Sequence, residues 1–290
     1  MSSHQLPETL PGRRLASGNV TTMLTGIITL VVVMGIGRFS LTPQIPVMIS
    51  DGFLNLSSAG ILAAMNYIGY LLGAIHVSRM QRNHTAYLKT GLLVTMVVTL
   101  LSGTTPLFVL QCLFRFIAGV GGAWALIIVT SWTQLELAAK NAPRLSAAVF
   151  SGPGIGITLT GVLAWIMSAQ HITSSEAWYV YGGVALVAIL LIFRRLPHEL
   201  PSVQKRREAV PVGRNLKVLL GVYTLAGFGY ILPATFLSQM AHTVFNSGNQ
   251  AAFFWPLFGL SAVAGVLLVI MFAAVVNTRI SLAFAMIVQG

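Results

Sequence analysis

The sequence predicts an all-α integral membrane protein, a bundle of about eight full transmembrane helices followed by a partial ninth. Three observations carry this. Apolar runs of about 20 residues, the length that crosses a hydrocarbon core of roughly 30 Å, recur along the whole chain. Apolar residue types make up 56% of the 290 residues and charged types only 8%, whereas soluble domains carry roughly 25% charged residues. The basic residues fall in alternate connections between the runs, as the positive-inside rule requires of a membrane-spanning chain.

In chain order the apolar runs predict helices over 20–49, 57–79, 87–104, 106–131, 145–170, 177–194, 215–240 and 251–275. A ninth starts near Ile280 and has about eleven residues by Gly290, about 16 Å of helix or half a bilayer. The sequence therefore reads as stopping inside a membrane segment. The first 19 residues are polar, and the apolar run after them exceeds the roughly 7–15 residues of a signal-peptide core, so a retained first helix is expected. The lone cysteine, Cys112, lies within an apolar run and reads as a small buried residue.

Charge placement sets the topology. Arg13 and Arg14 precede the first helix; Arg79, Arg82 and Lys89 surround the second connection; Lys140 and Arg144 lie in the fourth; Arg194, Arg195, Lys205, Arg206, Arg207, Arg214 and Lys217 surround the sixth; Arg279 follows the eighth helix. All fifteen fall on one side, which predicts a cytoplasmic N-terminus and explains the net charge of +11 without nucleic acid. The connection 195–214 is long, polar, basic and interrupted by prolines, the character of a linker. It divides a six-helix unit, 1–194, from a partial second unit, 215–290. A repeat crosses it: Gly35, Gly37 and Met48 of the first helix match Gly227, Gly229 and Met240 of the seventh at a constant offset of 192 residues, while Pro43 and Pro233 are out of register by two.

Two arginines remain at bilayer depth, where a charge costs about 2.5–3.5 kcal/mol or more. Arg115 lies about 14 Å and Arg38 about 16 Å from the outer ends of their helices by residue count, and no Asp or Glu lies inside any predicted helix. An anionic substrate bound in bidentate geometry would supply the missing charge, with both guanidiniums facing one cavity. Two other readings stay open: Arg38 snorkels outward, or Arg115 bonds backbone carbonyls of neighbouring helices. Glycines at Gly119 and Gly122, and Gly152-Pro153-x2-Gly156, present small faces for close helix approach, and Pro153 deprives the Val149 carbonyl of its usual donor and predicts a bend. No nucleophile–base pair, metal-ligand set or cofactor motif lies at membrane depth, so neither an enzyme nor a metal or cofactor is expected.

Arg115-x3-Gly119 with its following glycines resembles the fourth-helix motif of the major facilitator superfamily, and Gly152-Pro153-x2-Gly156 resembles its fifth-helix motif. The segment from Gly73 to Arg82 resembles the superfamily's loop motif, but Val77 stands where an acidic residue is usual, which puts that loop's charge relay in doubt. The helix-one segment GIGRFSLTPQIPVM and the helix-seven segment GFGYILPATFLSQM resemble the YbfB/YjiJ branch. The resemblance implies a major-facilitator-type bundle of twelve helices in two pseudo-symmetric halves, with the first, fourth and seventh among the cavity-lining helices. It adds Tyr230 to Arg38 and Arg115 as a substrate-binding or coupling candidate, with Asn66 and Tyr67 of the second helix beside them. The implied function is secondary active transport of a small molecule across the plasma membrane of a bacterium by alternating access, with a coupling proton as a further partner; the unpaired arginines, read on their own, favour an anionic one. A truncated, inactive transporter and a non-transporting membrane protein, such as a sensor or assembly partner, are the alternatives.

Overall fold

The computed structural model describes residues 11–199, 213–245 and 248–272, together with Ile280, residues 283–285 and Ile287. Among them are eight helices long and apolar enough to cross a membrane: α1 (Gly18–Ser50), α2 (Leu56–Arg79), α3 (His84–Leu101), α4 (Phe108–Ala139), α5 (Pro143–Ala169), α6 (Ser174–Arg195), α7 (Leu216–Val244) and α8 (Gln250–Phe272). The fold class expected from the apolar runs is the one observed. Most of the linker and of the ninth segment lies outside the described residues.

Helix ends depart from the apolar runs for local reasons. α4 continues eight residues past the expected end at 131, because a helix leaving the hydrocarbon no longer needs an apolar surface. Its last turn carries the ion pair Glu136–Lys140 at 2.5 Å. α6 starts three residues early on a capping box that the run Thr173-Ser-Ser-Glu176 announces: Thr173 N–H donates to Glu176 Oε2 (2.9 Å) and Glu176 N–H to Thr173 Oγ1 (3.4 Å). The Ser174 N–H at this same end donates to Asp51 Oδ2 (2.8 Å), tying α6 to the end of α1.

The helix that carries the span α1 begins at Pro11 and has three local geometries, α-helical over Pro11–Leu30, π-helical over Val31–Phe39 and α-helical again over Leu41–Ser50. Pro43 has no N–H to give the Phe39 carbonyl, so the ordinary ladder is interrupted just where the wide turns end. α5 changes its local geometry just before Pro153, where a bend is expected. Its helix breaks into Pro143–Ala148, a 3-10 turn at Val149–Ser151 and Gly152–Ala169. The 3-10 turn gives the Val149 carbonyl, which Pro153 cannot serve, a donor in Gly152 N–H.

α2 and α3 pack along α4, and α5 packs against the π segment of α1 on one side and along α8 on the other. Close approach is made by glycines. A Cβ on Gly156 would sit 2.6 Å from Gly35 Cα, and a Cβ on Gly35 would run into the Gly156 backbone. A Cβ on Gly119 would strike the Asn66 carbonyl of α2, and one on Gly152 would lie 2.7 Å from Leu30 Cβ. Gly122 faces the Val33 carbonyl at 3.6 Å, ordinary contact. Such backbone-to-backbone contact favours helix association where no hydrophobic difference from lipid drives it.

Candidate substrate site between α1, α2 and α7

Arg38, the last residue but one of the π segment of α1, is half-buried. Its guanidinium carbon lies 4.8 Å from the Tyr67 ring centre, 5.6 Å from Tyr70 and 5.1 Å from Phe39. Aromatic faces from α1 and α2 therefore hold the cation by their quadrupoles. It makes no hydrogen bond or ion pair among the described residues, and its Nε is buried without an acceptor.

A small cavity of ≈ 20 Å³ adjoins it, lined among others by Arg38, Thr42, Asn66, Tyr67, Ala234 and Thr235. That is room for about one water molecule. Asn66, 4% exposed, donates from Nδ2 to the Arg115 carbonyl (2.9 Å) and leaves Oδ1 without a partner. The Tyr67 hydroxyl bonds the Thr235 hydroxyl of α7 (2.7 Å), and Thr42 Oγ1 donates to the Ala234 carbonyl of the same helix (3.4 Å). Thr42 and Ala234 are 192 residues apart, the offset of the repeat, and by that offset Arg38 corresponds to Tyr230. Tyr230 lies in electrostatic range of Arg38 and stacks on Phe258 of α8, ring centres 6.2 Å apart.

Arg115 occupies different surroundings. It is 1% exposed and lies outside the cavity lining. Its Nη2 donates to Ser102 Oγ at the end of α3 (2.9 Å), its Nη1 to the Gly37 carbonyl of α1 (3.5 Å), and its guanidinium carbon lies 4.6 Å from the Trp178 ring centre of α6. The structure thus separates the two arginines that equal depth suggested would share a cavity. Depth fixes height but not azimuth: Gly37 faces Thr95 of α3, and the next residue is turned by roughly a quarter of a revolution, toward α2. Arg115 instead bonds a backbone carbonyl of a neighbouring helix, the alternative its sequence left open. Ser102, Tyr70 and Trp178 went unread in the sequence. Ser102 had a signal, a polar residue at the outer end of α3.

α7 contacts the rest of the bundle unevenly. Ala234, Thr235, Ser238 and Ala241 are buried, whereas residues 216–225 are exposed. α1 and α7 therefore close against each other at the Ser50 end, and α7 stands clear toward Leu216.

Known proteins place this arrangement. An uncharacterized MFS-type transporter, YceJ of Bacillus subtilis (strain 168), is 26% identical over 230 residues, 76% of this chain and 54% of the relative. The chain spans about half the length of that curated relative. The family described as "Uncharacterised MFS-type transporter YbfB" matches residues 30–290, from the π segment of α1 through all the helices that build the seam. The glycine-packed bundle, the seam at α1 and α7 and this match agree: the chain belongs to the YbfB family of major-facilitator-type membrane transporters.

Proposed function

We propose that the protein carries a small organic anion across the bacterial plasma membrane by alternating access, with Arg38 as the binding charge and the units 1–194 and 215–290 as the moving parts. The observation that carries this reading is a half-buried guanidinium with no acidic or hydrogen-bonding partner among the described residues, at the seam between those units. A cation at membrane depth without a counter-ion is costly and marks a substrate or ion pathway by default. Its positive potential favours an anion and disfavours a cation.

The contact between Thr42 and Ala234 supports the two-unit reading. Two copies related by a two-fold axis bring a residue against its own counterpart only near that axis. The side with the basic connections is the cytoplasm, so the Ser50 end, where α1 and α7 meet, lies toward the outer face. In the state open to that face the hydroxyl contacts of Thr42 and Tyr67 with α7 part.

Labelling with a membrane-impermeant maleimide on intact cells tests both direction and motion, in a Cys112→Ser background. Phe53→Cys, in the connection after α1, should react at once, and His198→Cys should stay protected. Thr42→Cys, at a position 4% exposed in the closed seam, should react slowly and go to completion. Fast reaction of His198→Cys would reverse the topology. A Thr42→Cys protein that stays unreacted for hours, yet reacts once unfolded in detergent, would reject alternating access.

A further inference from the structure

The aromatic rings beside Arg38 continue across the seam as one surface. From Phe39, in contact with the guanidinium, the Trp255 ring centre is 6.2 Å away. Trp255 and Phe258 are nearly parallel, 8° apart at 5.3 Å, and Phe258 and Tyr230 lie 23° apart at 6.2 Å. Three helices contribute to this shelf, α1, α7 and α8. Polar atoms on it and beside it are few: the unpartnered Arg38 Nε, the Asn66 Oδ1 of the adjoining cavity, the Tyr230 hydroxyl, and the Trp255 indole N–H, which is fully buried and without an acceptor. Among the described residues no ion pair involves Arg38, and Arg115 already has its three partners.

From this geometry we propose that the site takes a planar aromatic monocarboxylate. The proposal rests on the anion reading above and narrows it. The carboxylate pairs with the Arg38 fork, and the ring lies against Tyr230 and Phe258 in offset-stacked or edge contact, the arrangements aromatic quadrupoles favour. One free cation suits one carboxylate. A second carboxylate would be brought against the electron-rich ring faces and away from water. The cavity of ≈ 20 Å³ beside Tyr67 and Thr235 is too small for the ring, so the ligand enters on the Tyr230 side, where that tyrosine is 38% exposed.

Equilibrium binding of labelled benzoate to the purified protein in detergent tests this, with cyclohexanecarboxylate, acetate, benzyl alcohol and terephthalate as competitors. Benzoate should bind saturably. Cyclohexanecarboxylate, of equal charge and similar size, should compete five- to tenfold more weakly. Acetate should be weaker still, and benzyl alcohol and the dianion terephthalate should be ineffective. Tyr230→Leu, at a partly exposed position tolerant of change, should erase most of the preference for benzoate over cyclohexanecarboxylate. Arg38→Gln should abolish binding of every carboxylate.

Equal affinity for benzoate and cyclohexanecarboxylate, terephthalate competing as well as benzoate, or an unchanged preference in Tyr230→Leu would overturn the aromatic monocarboxylate and leave the anion reading standing. Benzyl alcohol competing as well as benzoate, or full benzoate binding by Arg38→Gln, would overturn both. Absence of saturable benzoate binding by the unmodified protein would overturn the proposal without recourse to any variant.

Discussion

Gly156→Leu should abolish the folded protein. At this position a Cβ alone would lie 2.6 Å from Gly35 Cα and 3.2 Å from Val31 Cα, both main-chain atoms of α1. Overpacking of a well-packed interior costs about 1–3 kcal/mol when side chains can yield. Here the obstacle is the π segment itself, and moving it also moves Arg38 and the Gly37 carbonyl. The monodisperse yield after detergent extraction should fall to near zero, and Gly156→Ala should give a partial loss. Gly183→Ala is the control, since nothing lies within 4 Å of its Cβ position, and it should extract and melt like the parent. A Gly156→Leu protein with parental yield and melting temperature would mean that α1 and α5 do not meet backbone to backbone.

Arg115 and Arg38 should respond differently to replacement by lysine. Arg115→Lys loses the fork that reaches both Ser102 Oγ and the Gly37 carbonyl, and loses the flat contact on Trp178. Hydrogen bonds to a charged group contribute about 1.5–3 kcal/mol, and a desolvated cation–π contact about 2 kcal/mol. A loss of several kcal/mol in detergent unfolding is therefore expected, with Ser102→Ala accounting for part of it non-additively. Arg38→Lys gives up no hydrogen bond and keeps a cation among Phe39, Tyr67 and Tyr70, so its stability should stay within about 1 kcal/mol of the parent. Equal destabilisation by both changes would show that Arg38 is a structural residue as well, and would remove the reason for treating it as the free binding charge.

The spans were legible because a bilayer imposes a length that no other requirement produces, and the runs over 20–49 and 251–275 satisfy it. The irregular turn before Pro153 was legible because a missing N–H has a local consequence. Helix ends were not, since the continuation of α4 to Ala139 depends on where the hydrocarbon stops, which hydropathy marks only coarsely. The π segment was invisible to a period-3.6 reading. It is held by tertiary contacts, Gly35 on Gly156 and Gly37 on Thr95, as well as by Pro43 downstream. For the candidate site, the unpaired charges and their depth could be read from residue order, and Arg38, Asn66 and Tyr67 do meet around one cavity. Azimuth was missing. A turn of one residue decides whether a guanidinium meets Tyr67 beside the seam or Ser102 inside the six-helix unit, and apolar runs without strong amphipathic faces carry no record of it. Tyr230 came only with the family resemblance, and its shelf neighbours Trp255 and Phe258 were hidden, because aromatic residues in a membrane helix look alike whether they face lipid, a neighbour or a cavity.

The central claim is that Arg38 selects an anion in a carrier that opens to one side at a time. Counterflow in proteoliposomes loaded with an unlabelled solute tests it most directly, using a panel of labelled organic carboxylates and quaternary ammonium ions with the parent protein and Arg38→Gln. The predicted result is exchange of at least one carboxylate and of no quaternary ammonium, with the carboxylate exchange abolished in Arg38→Gln while slow maleimide labelling of Thr42→Cys persists in that background. Exchange of a quaternary ammonium ion at the same rate in the parent and in Arg38→Gln would contradict it.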